Sequence, residues 1–385
     1  VHRIGLPGRL RRALRLVRRA PVAVPAELRD LPAPAPLAAD AVIDKPDTAM
    51  HDVAGAALDP ADPAVVYAVT LEGPPDDARA AVVARADLAA RAWRWQRGDG
   101  CGAGTPVALA VADGVVVCAA RTASPPSATV TATSKDGASR WQWEGDNVDG
   151  LGAAGAAVLV HDAERLIVLD AATGRPRGRL ASDDGAPMRA AALAVGETTY
   201  AVTYERGRLV ARLAVAGLLP VWSLAVDGVV RAIAPSMDGV LVELEDGDAY
   251  RIDVRTAAVT ALPGLGLAWS APGDLVTGHT IPLYEGDSLQ ISLYELAGGL
   301  RARNDYALLP PIAPAFARGP AGSPLVVASG AGLRDVLVLD PRSGAPLRRV
   351  QLPEEAARRL VFGTVVDGTP VAGALLPSPL RIIVF

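Results

Sequence analysis

Ala156-Ala157-Val158-Leu159-Val160-His161, Arg165-Leu166-Ile167-Val168-Leu169-Asp170 and Arg175-Pro176-Arg177-Gly178-Arg179-Leu180 are three short runs separated only by Asp162-Ala163-Glu164 and Ala171-Ala172-Thr173-Gly174. Runs this short, rich in Val, Ile and Leu, have the length of strands, and Asp, Thr and Gly between them favour turns. Consecutive strands joined by such tight turns lie antiparallel and adjacent, so the stretch reads as three strands of one sheet.

The same texture runs from about residue 50 to the C-terminus, with no persistent helical period. In the first unit 64–71, 80–86 and 91–96 follow an inner strand near 50–58; in the second, 107–111, 115–120 and 129–133 precede Arg140-Trp141-Gln142-Trp143. Later units begin near Ala190, Val229, Gly266, Ile312 and Leu360. Starts spaced by roughly 36 to 55 residues match the blades of a β-propeller. A chain of 385 residues also exceeds the size at which one core stops growing, and a ring of blades adds core by repetition. The expected fold is all-β: an eight-bladed β-propeller of four-stranded antiparallel blades, with an N-terminal basic helix. Residues 1–24 are assigned to that helix, 25–45 to a Pro-rich linker and closing strand, and 46–385 to the propeller. The last unit holds only three strands, 360–365, 370–374 and 380–385, while a spare extended segment, 40–45, precedes the first. Pairing the two would cover the exposed edge of the last blade.

One phrase recurs at a turn. Val168-Leu169-Asp170-Ala171-Ala172-Thr173-Gly174 returns as Val338-Leu339-Asp340-Pro341-Arg342-Ser343-Gly344 and, altered, as Arg251-Ile252-Asp253-Val254-Arg255-Thr256-Ala257. Tryptophans follow the turn glycines Gly137 and Gly217 as Trp141 and Trp222, and Trp95 holds the corresponding place in the first unit. The pattern hydrophobic-x-Asp-x-x-Thr/Ser-Gly followed by Trp resembles the repeat of quinoprotein-like (PQQ-like) β-propellers over roughly residues 50–385. That resemblance implies an eight-bladed ring. Its dehydrogenase branch implies adjacent bridged cysteines, a calcium held by Glu and Asn, and an Asp base; Cys101 and Cys118 are not adjacent, and no such set is present. Its lipoprotein branch, which serves outer-membrane barrel assembly, implies secretion and a lipidated cysteine, neither visible here. What remains resembles the scaffold type, including propellers of bacterial systems with MoxR-type ATPases and von Willebrand A proteins.

Other features have ordinary readings. Gly98-Asp99-Gly100-Cys101-Gly102-Ala103-Gly104 lacks the following helix that a dinucleotide loop needs, and reads as an inter-blade loop. Glu144-Gly145-Asp146-Asn147-Val148-Asp149-Gly150 gathers oxygens without the EF-hand spacing, and reads as a blade connection. Glu245-Asp246-Gly247-Asp248 reads as a hairpin turn. His2, His51, His161 and His279 are scattered, and no nucleophile has a recognisable setting. The two cysteines make neither a disulfide framework nor a zinc motif, and leave one bridge open should their strands pair. No cofactor or metal is expected.

Charge is uneven: residues 1–26 carry seven arginines and no acid, which leaves −11 for the remainder of a chain whose total is −4. An acidic body does not suit nucleic acid. In the basic helix Leu6, Leu10, Leu14 and Val17 share one face, flanked by Arg11, Arg12, Arg15, Arg18 and Arg19. Such a helix either packs on its own propeller or docks to an acidic protein or anionic lipid, and without Trp or Phe on the stripe a protein is favoured over a membrane. The expected function is a non-catalytic, monomeric protein-interaction scaffold. The competing classes are an envelope assembly propeller like the outer-membrane barrel assembly lipoprotein, and an enzyme or small-ligand binder at the channel mouth. The innermost strands, expected at 156–160, 191–195 and 315–317, are nearly bare of acids and histidines and weigh against an enzyme or small-ligand binder. No run reaches the ~18 apolar residues of a membrane span, and 20–26 is too broken for a secretory h-region, so the expected compartment is the cytoplasm, or the periplasm if a leader precedes Val1.

Overall fold

The computed structural model describes residues 2–4, 35–36, 39–45, 51–72, 80–102, 104–123, 126–162, 164–182, 188–236, 238–246, 248–262, 267–270, 275–280, 288–295, 300–307, 317–320, 322–328, 335–352, 360–377 and 380–385. Their strands form eight sheets taken in chain order around a ring, the blades of a β-propeller. The first six are meanders of four antiparallel strands, beginning at their inner edges with His51–Leu58, Thr105–Ala112, Gly150–Ala154, Arg189–Val195, Val230–Ser236 and Leu267–Ser270. Inner strands of successive blades lie side by side around the ring axis.

Two assignments differ from the sequence reading. Ala157–His161, expected on the channel wall, is the second strand of the third blade, and Gly150–Ala154 lies inside it. Its sequence, Gly-Leu-Gly-Ala-Ala, has no β-branched residue, so its strand character comes from its partner rather than from propensity. In the seventh blade Leu325–Ala328, Asp335–Leu339 and Pro346–Gln351 are antiparallel neighbours. The segment Ala317–Arg318 pairs instead, in parallel, with Leu360–Val366, the first full strand of the eighth blade. Residues 5–34, which hold the expected basic helix from Leu6 to Arg19, lie outside the described residues; His2–Ile4 before them are extended along the outer strand of the fourth blade, and Ala35–Pro36 along that of the seventh.

The core lies between blades rather than within them. Val65, Tyr67, Val83, Val116 and Cys118 join the first blade to the second; Val117, Val130, Val158 and Leu169 join the second to the third. Ala, Val and Leu dominate, and each Val or Leu so buried contributes about 1.5–3 kcal/mol. Cys101, in the connection from the first blade, is disulfide-bonded to Cys118 on the second strand of the next, with Cα atoms 4.9 Å apart and both residues fully buried.

The recurrent turn phrase and the tryptophans are two halves of one contact between neighbouring blades. Asp170 accepts hydrogen bonds from Thr173 N (2.7 Å) and Thr173 Oγ1 (2.8 Å); Asp253 does the same for Thr256, and Asp340 for Ser343. At the Asp170 and Asp253 turns the preceding blade lays an indole, and a third indole lies on the Ser134–Gly137 turn, which lacks the phrase. Trp95 donates to Lys135 O (2.9 Å), Trp141 to Ala171 O (2.8 Å) and Trp222 to Val254 O (2.6 Å). At Gly174, φ is +69° and a Cβ would lie 2.6 Å from the Trp141 ring, so glycine serves both the left-handed turn and the ring's approach. In the third blade Gly178 occupies the tryptophan position, and Leu218 of the fourth blade fills the space.

Closure uses the chain's beginning. Ala41–Asp44 is the outer strand of the eighth blade, antiparallel to Arg381–Val384 with Val42 opposite Ile383 and Ile43 opposite Ile382. Asp40 N donates to Val384 O (2.8 Å) and Lys45 N to Leu380 O (2.9 Å), extending the ladder at both ends. Ile43 is buried with Val53, Val66 and Phe362, and Trp93 of the first blade donates to Ile43 O (3.1 Å).

Two outcomes follow for stability. Trp141→Phe keeps an apolar ring but leaves the Ala171 carbonyl without its donor, a loss of about 1–3 kcal/mol, whereas Trp141→Ala is expected to cost about 3–5 kcal/mol. Chemical denaturation checks both, and an unchanged midpoint for Trp141→Ala would remove the indole contact as a stabilising element. Cys118→Ala releases a loop with a sequence separation of 17. Loop-closure entropy puts that at about 3 kcal/mol. Thermal unfolding of the native and reduced protein, with thiol titration before and after reduction, measures it.

Candidate functional site

Every inner strand is entered from the outer strand of the preceding blade, so these connections gather on one face of the ring, called here the upper face. The third, fourth and fifth blades place charged and titratable groups at the tops of their inner strands, where the sequence reading anticipated a nearly bare wall.

At the third blade Gly150 faces His161 across the strand pair. A side chain at Gly150 would collide with the imidazole Nε2, so the missing Cβ lets the ring lie over the inner strand. Asp149 N donates to His161 O (2.9 Å), and the Asp149 carboxylate takes Arg121 of the second blade at 3.2 Å. His161 Nδ1 is buried without a hydrogen-bond partner among the described residues. Burial pushes the His161 pKa below its ordinary value, with Arg189 adding to the effect and Asp149 and Asp162 opposing it.

At the fourth and fifth blades the groups are arginines. Arg189 opens its inner strand and is exposed, and its Nε donates to the backbone oxygen of Arg231 (3.2 Å). Arg231 sits at a β-bulge: the pairing passes from Val230 to Ala232, leaving Arg231 without an opposite residue. Similar irregularities on described inner strands fall at Ala54, Val107 and Ala268, so only this one re-aims a charged side chain. Arg231 reaches Glu243 at 3.4 Å while its side chain stays 69% exposed, and exposed Val229 precedes it in the connection.

Several other carboxylates on this face are engaged, while Glu164, Asp227 and Glu245 are exposed. In the oxygen-rich connection Asp146 pairs with Arg165 (2.7 Å). Asp162 caps Glu164 N and Arg165 N at 2.8 and 2.7 Å and also receives the Arg165 guanidinium. Asp246 accepts from Asp248 N within its hairpin turn, and 98–104 does lead into another strand, Thr105–Ala112. On the opposite face Asp59, 2% exposed, holds Lys135 of the second blade at 2.8 Å and accepts from Tyr67 OH (3.3 Å) and Ala61 N (2.9 Å). Burial, then Asp59, raises the Tyr67 pKa. That network is satisfied and holds two blades together. The docking stripe read from sequence, Leu6 to Arg19, lies outside the described residues. Arg189 and Arg231 escaped the sequence reading because one precedes the apolar run of its strand and the other owes its position to a bulge.

No family model matches the chain, and no curated protein sequence matches it. Solved structures do. BamB from Moraxella catarrhalis is similar with a TM-score of 0.54 at 16% identity, covering 91% of this chain and 97% of that one. Sqt1 of Saccharomyces cerevisiae is similar with a TM-score of 0.60 at 12% identity, covering 90% and 98%. The C-terminal WD40 domain of Sif2 gives 0.59 at 12% identity, covering 89% and 97%. At such identities the likeness bears on the fold alone, a β-propeller along nearly the whole chain.

The His161 environment sets a pH dependence. Its ordinary pKa is 6.5 and its folded value is lower, so the unfolded chain binds the proton first. Stability is therefore complete above about pH 6.5 and declines as pH falls towards the folded value. His161→Gln should flatten that part of the profile. A histidine resonance of His161 titrating above 6.5 in the folded protein would contradict the burial described.

Proposed function

We propose that this chain is a non-catalytic protein-interaction platform of the PQQ-like propeller type. The observation that carries the reading is the mixed, exposed upper face: beside carboxylates that cap turns or meet arginines it presents Arg189, Arg231, Val229, Asp227 and Glu245 to solvent. Such a surface suits contact with a polypeptide, and function on a propeller resides in its loops and strand ends. The PQQ-like assignment is supported by the Asp-x-x-Thr/Ser-Gly turn that receives an indole from the preceding blade. Within that type we favour a scaffold of a bacterial multiprotein system, of the kind that joins such propellers to MoxR-type ATPases and von Willebrand A proteins.

In this reading the six arginines from Arg9 to Arg19 form a second contact, a docking helix with Leu6, Leu10, Leu14 and Val17 on its apolar stripe and Arg11, Arg12, Arg15, Arg18 and Arg19 beside it. Its partner is an acidic protein surface. The buried Cys101–Cys118 bridge bears on location, since structural disulfides persist in oxidising compartments and are rare in the cytosol. A partner ATPase finds its nucleotide in the cytoplasm, so we keep the working protein in the cytoplasm expected from the sequence, where this fully buried bridge would be one of the rare cytosolic disulfides.

Affinity capture with the full chain, with residues 1–24 deleted, and with Arg11, Arg12, Arg15, Arg18 and Arg19 changed to Glu tests the docking helix. Loss of the same partners in both variants supports it, and the charge variant leaves His2–Ile4 in place on the fourth blade. Retention of every partner in both retires the helix as a contact.

A further inference from the structure

We propose that the basic segment of residues 6–19 docks, in the free protein, on the chain's own fifth blade, against Asp227, Val229, Glu245 and Asp246 of the upper face, and that an acidic partner binds by drawing it off that seat. The inference rests on the reading of this segment as a docking helix and adds the contact that regulates it.

The chain delivers the segment to this place. His2–Ile4 run parallel to Leu224–Val226 on the outer strand of the fourth blade, with Ile4 opposite Val226. Both chains therefore leave the sheet at the same end and in the same direction. One continues as Asp227-Gly228-Val229, the connection into the fifth blade, and the other as Gly5-Leu6-Pro7. At no more than about 3.6 Å per residue, Leu6 lies within about 7 Å of the point where Ile4 leaves the ladder. Residues 5–34 then end at Ala35–Pro36 on the outer strand of the seventh blade, and the shorter way round from the fourth blade to the seventh passes the fifth. The connection and the fifth blade's hairpin turn form one surface, since Glu245 N donates to Val229 O (2.9 Å).

The chemistry of that surface matches the segment. Asp227, Glu245 and Asp246 are exposed, and none has an ion-pair partner among the described residues. Of the cations around them Arg231 meets Glu243 (3.4 Å), Arg208 donates to Ser223 Oγ (2.7 Å) and Arg212 pairs with Glu205. Arg189 and Arg206 stand against Asp227, Glu245, Asp246 and Asp248, so negative charge is in excess. Residues 6–19 bring six arginines and no acid. Val229, 52% exposed among these carboxylates, takes a residue of the stripe Leu6, Leu10, Leu14 and Val17, which matches the pairing of apolar and basic groups in the segment. The short tether to Ile4 sets an effective concentration on the order of millimolar, so individually weak surface ion pairs suffice to seat it. Because the same arginines serve an acidic partner, the two contacts exclude each other, and the seat lowers the affinity for that partner.

The test uses the full chain with a benzoylphenylalanine photo-crosslinker in place of Leu14. Illumination at low protein concentration is expected to give crosslinks within one chain to 227–231 and 245–249, lost in Asp227→Asn/Glu245→Gln/Asp246→Asn. Hydrogen exchange, which needs no crosslinker, is expected to quicken at 227–229 and 245–248 when Arg11, Arg12, Arg15, Arg18 and Arg19 are changed to Glu, while 224–226 stays protected because His2–Ile4 remains in place. A short fluorescent oligoglutamate peptide is expected to bind the carboxylate variant about threefold or more tighter than the native chain, whose segment is free for only part of the time. Thermal unfolding confirms that the ring of each variant is intact. Crosslinks between copies or to other blades, crosslinks unchanged in the carboxylate variant, unchanged exchange in the arginine variant, or equal oligoglutamate affinity would each overturn the assignment. Failure of the docking-helix reading is distinct: affinity capture then returns the same partners with and without the arginines, while the crosslinks still fall on the fifth blade.

Discussion

A ring of sheets is stable only if its ends meet, and here the meeting is the short ladder between Ala41–Asp44 and Arg381–Val384. Each blade buries its faces against two neighbours, so an open ring would expose the apolar faces of both the first and the eighth blade. Closing the last blade with a strand from the far end of the sequence turns that loss into a joint cost: the eighth blade cannot lose its outer strand without uncovering Ile43, Phe362 and Val66 together. The additional bond from Trp93 of the first blade to the Ile43 carbonyl ties the latch to the blade on its other side. Such long-range pairing is slow to form, since most of the chain must be ordered before it brings any return.

The same problem recurs at the other junctions, and at three of them, first to second, second to third and fourth to fifth, it is solved with one device. A sheet built from Ala and Val is thin and buries little area per residue, so neighbouring blades must approach closely and keep their orientation. The indole supplies both area and direction, because its ring lies on the next blade's turn while its single N–H reaches a carbonyl of that turn. Where the indole is missing the junction adapts. Gly178 leaves a hollow in the third blade, and Leu218 enters it from the fourth with φ of +62°. Where the glycine is missing, Ala257 takes φ of +59° beneath Trp222.

These devices explain what was legible in the sequence. Strands rich in Val, Ile and Leu, turns holding Asp and Gly, and tryptophans at fixed offsets are local signals, and they mark most blades; the absent outer strand of the last unit is a matter of counting. Gly150–Ala154 gives no such signal, since two glycines and two alanines become a strand only by pairing with Ala157–His161. Ala317–Arg318 likewise takes its place from a parallel partner in another blade. The candidate site was less legible for a related reason. His161 could be read as a strand end beside Asp162, but the ring's position over the inner strand depends on Gly150 lying opposite, which is a fact of register.

Register also accounts for the uneven character of the upper face. A regular inner strand alternates its side chains, and with Ala, Val and Leu on it the channel wall stays small and apolar. A bulge inserts one residue that belongs to neither side of that alternation, so its side chain is free of the packing demands placed on its neighbours. At Ala54 the extra residue is a small exposed group, and at Val107 it packs on the cluster between the second and third blades. At Arg231 it is a long cation whose carbonyl anchors a second one, Arg189, from the adjacent blade. The scaffold thus keeps a uniform core while concentrating exposed charge at one sector of its mouth, and that separation lets a surface specialise without disturbing the ring beneath it.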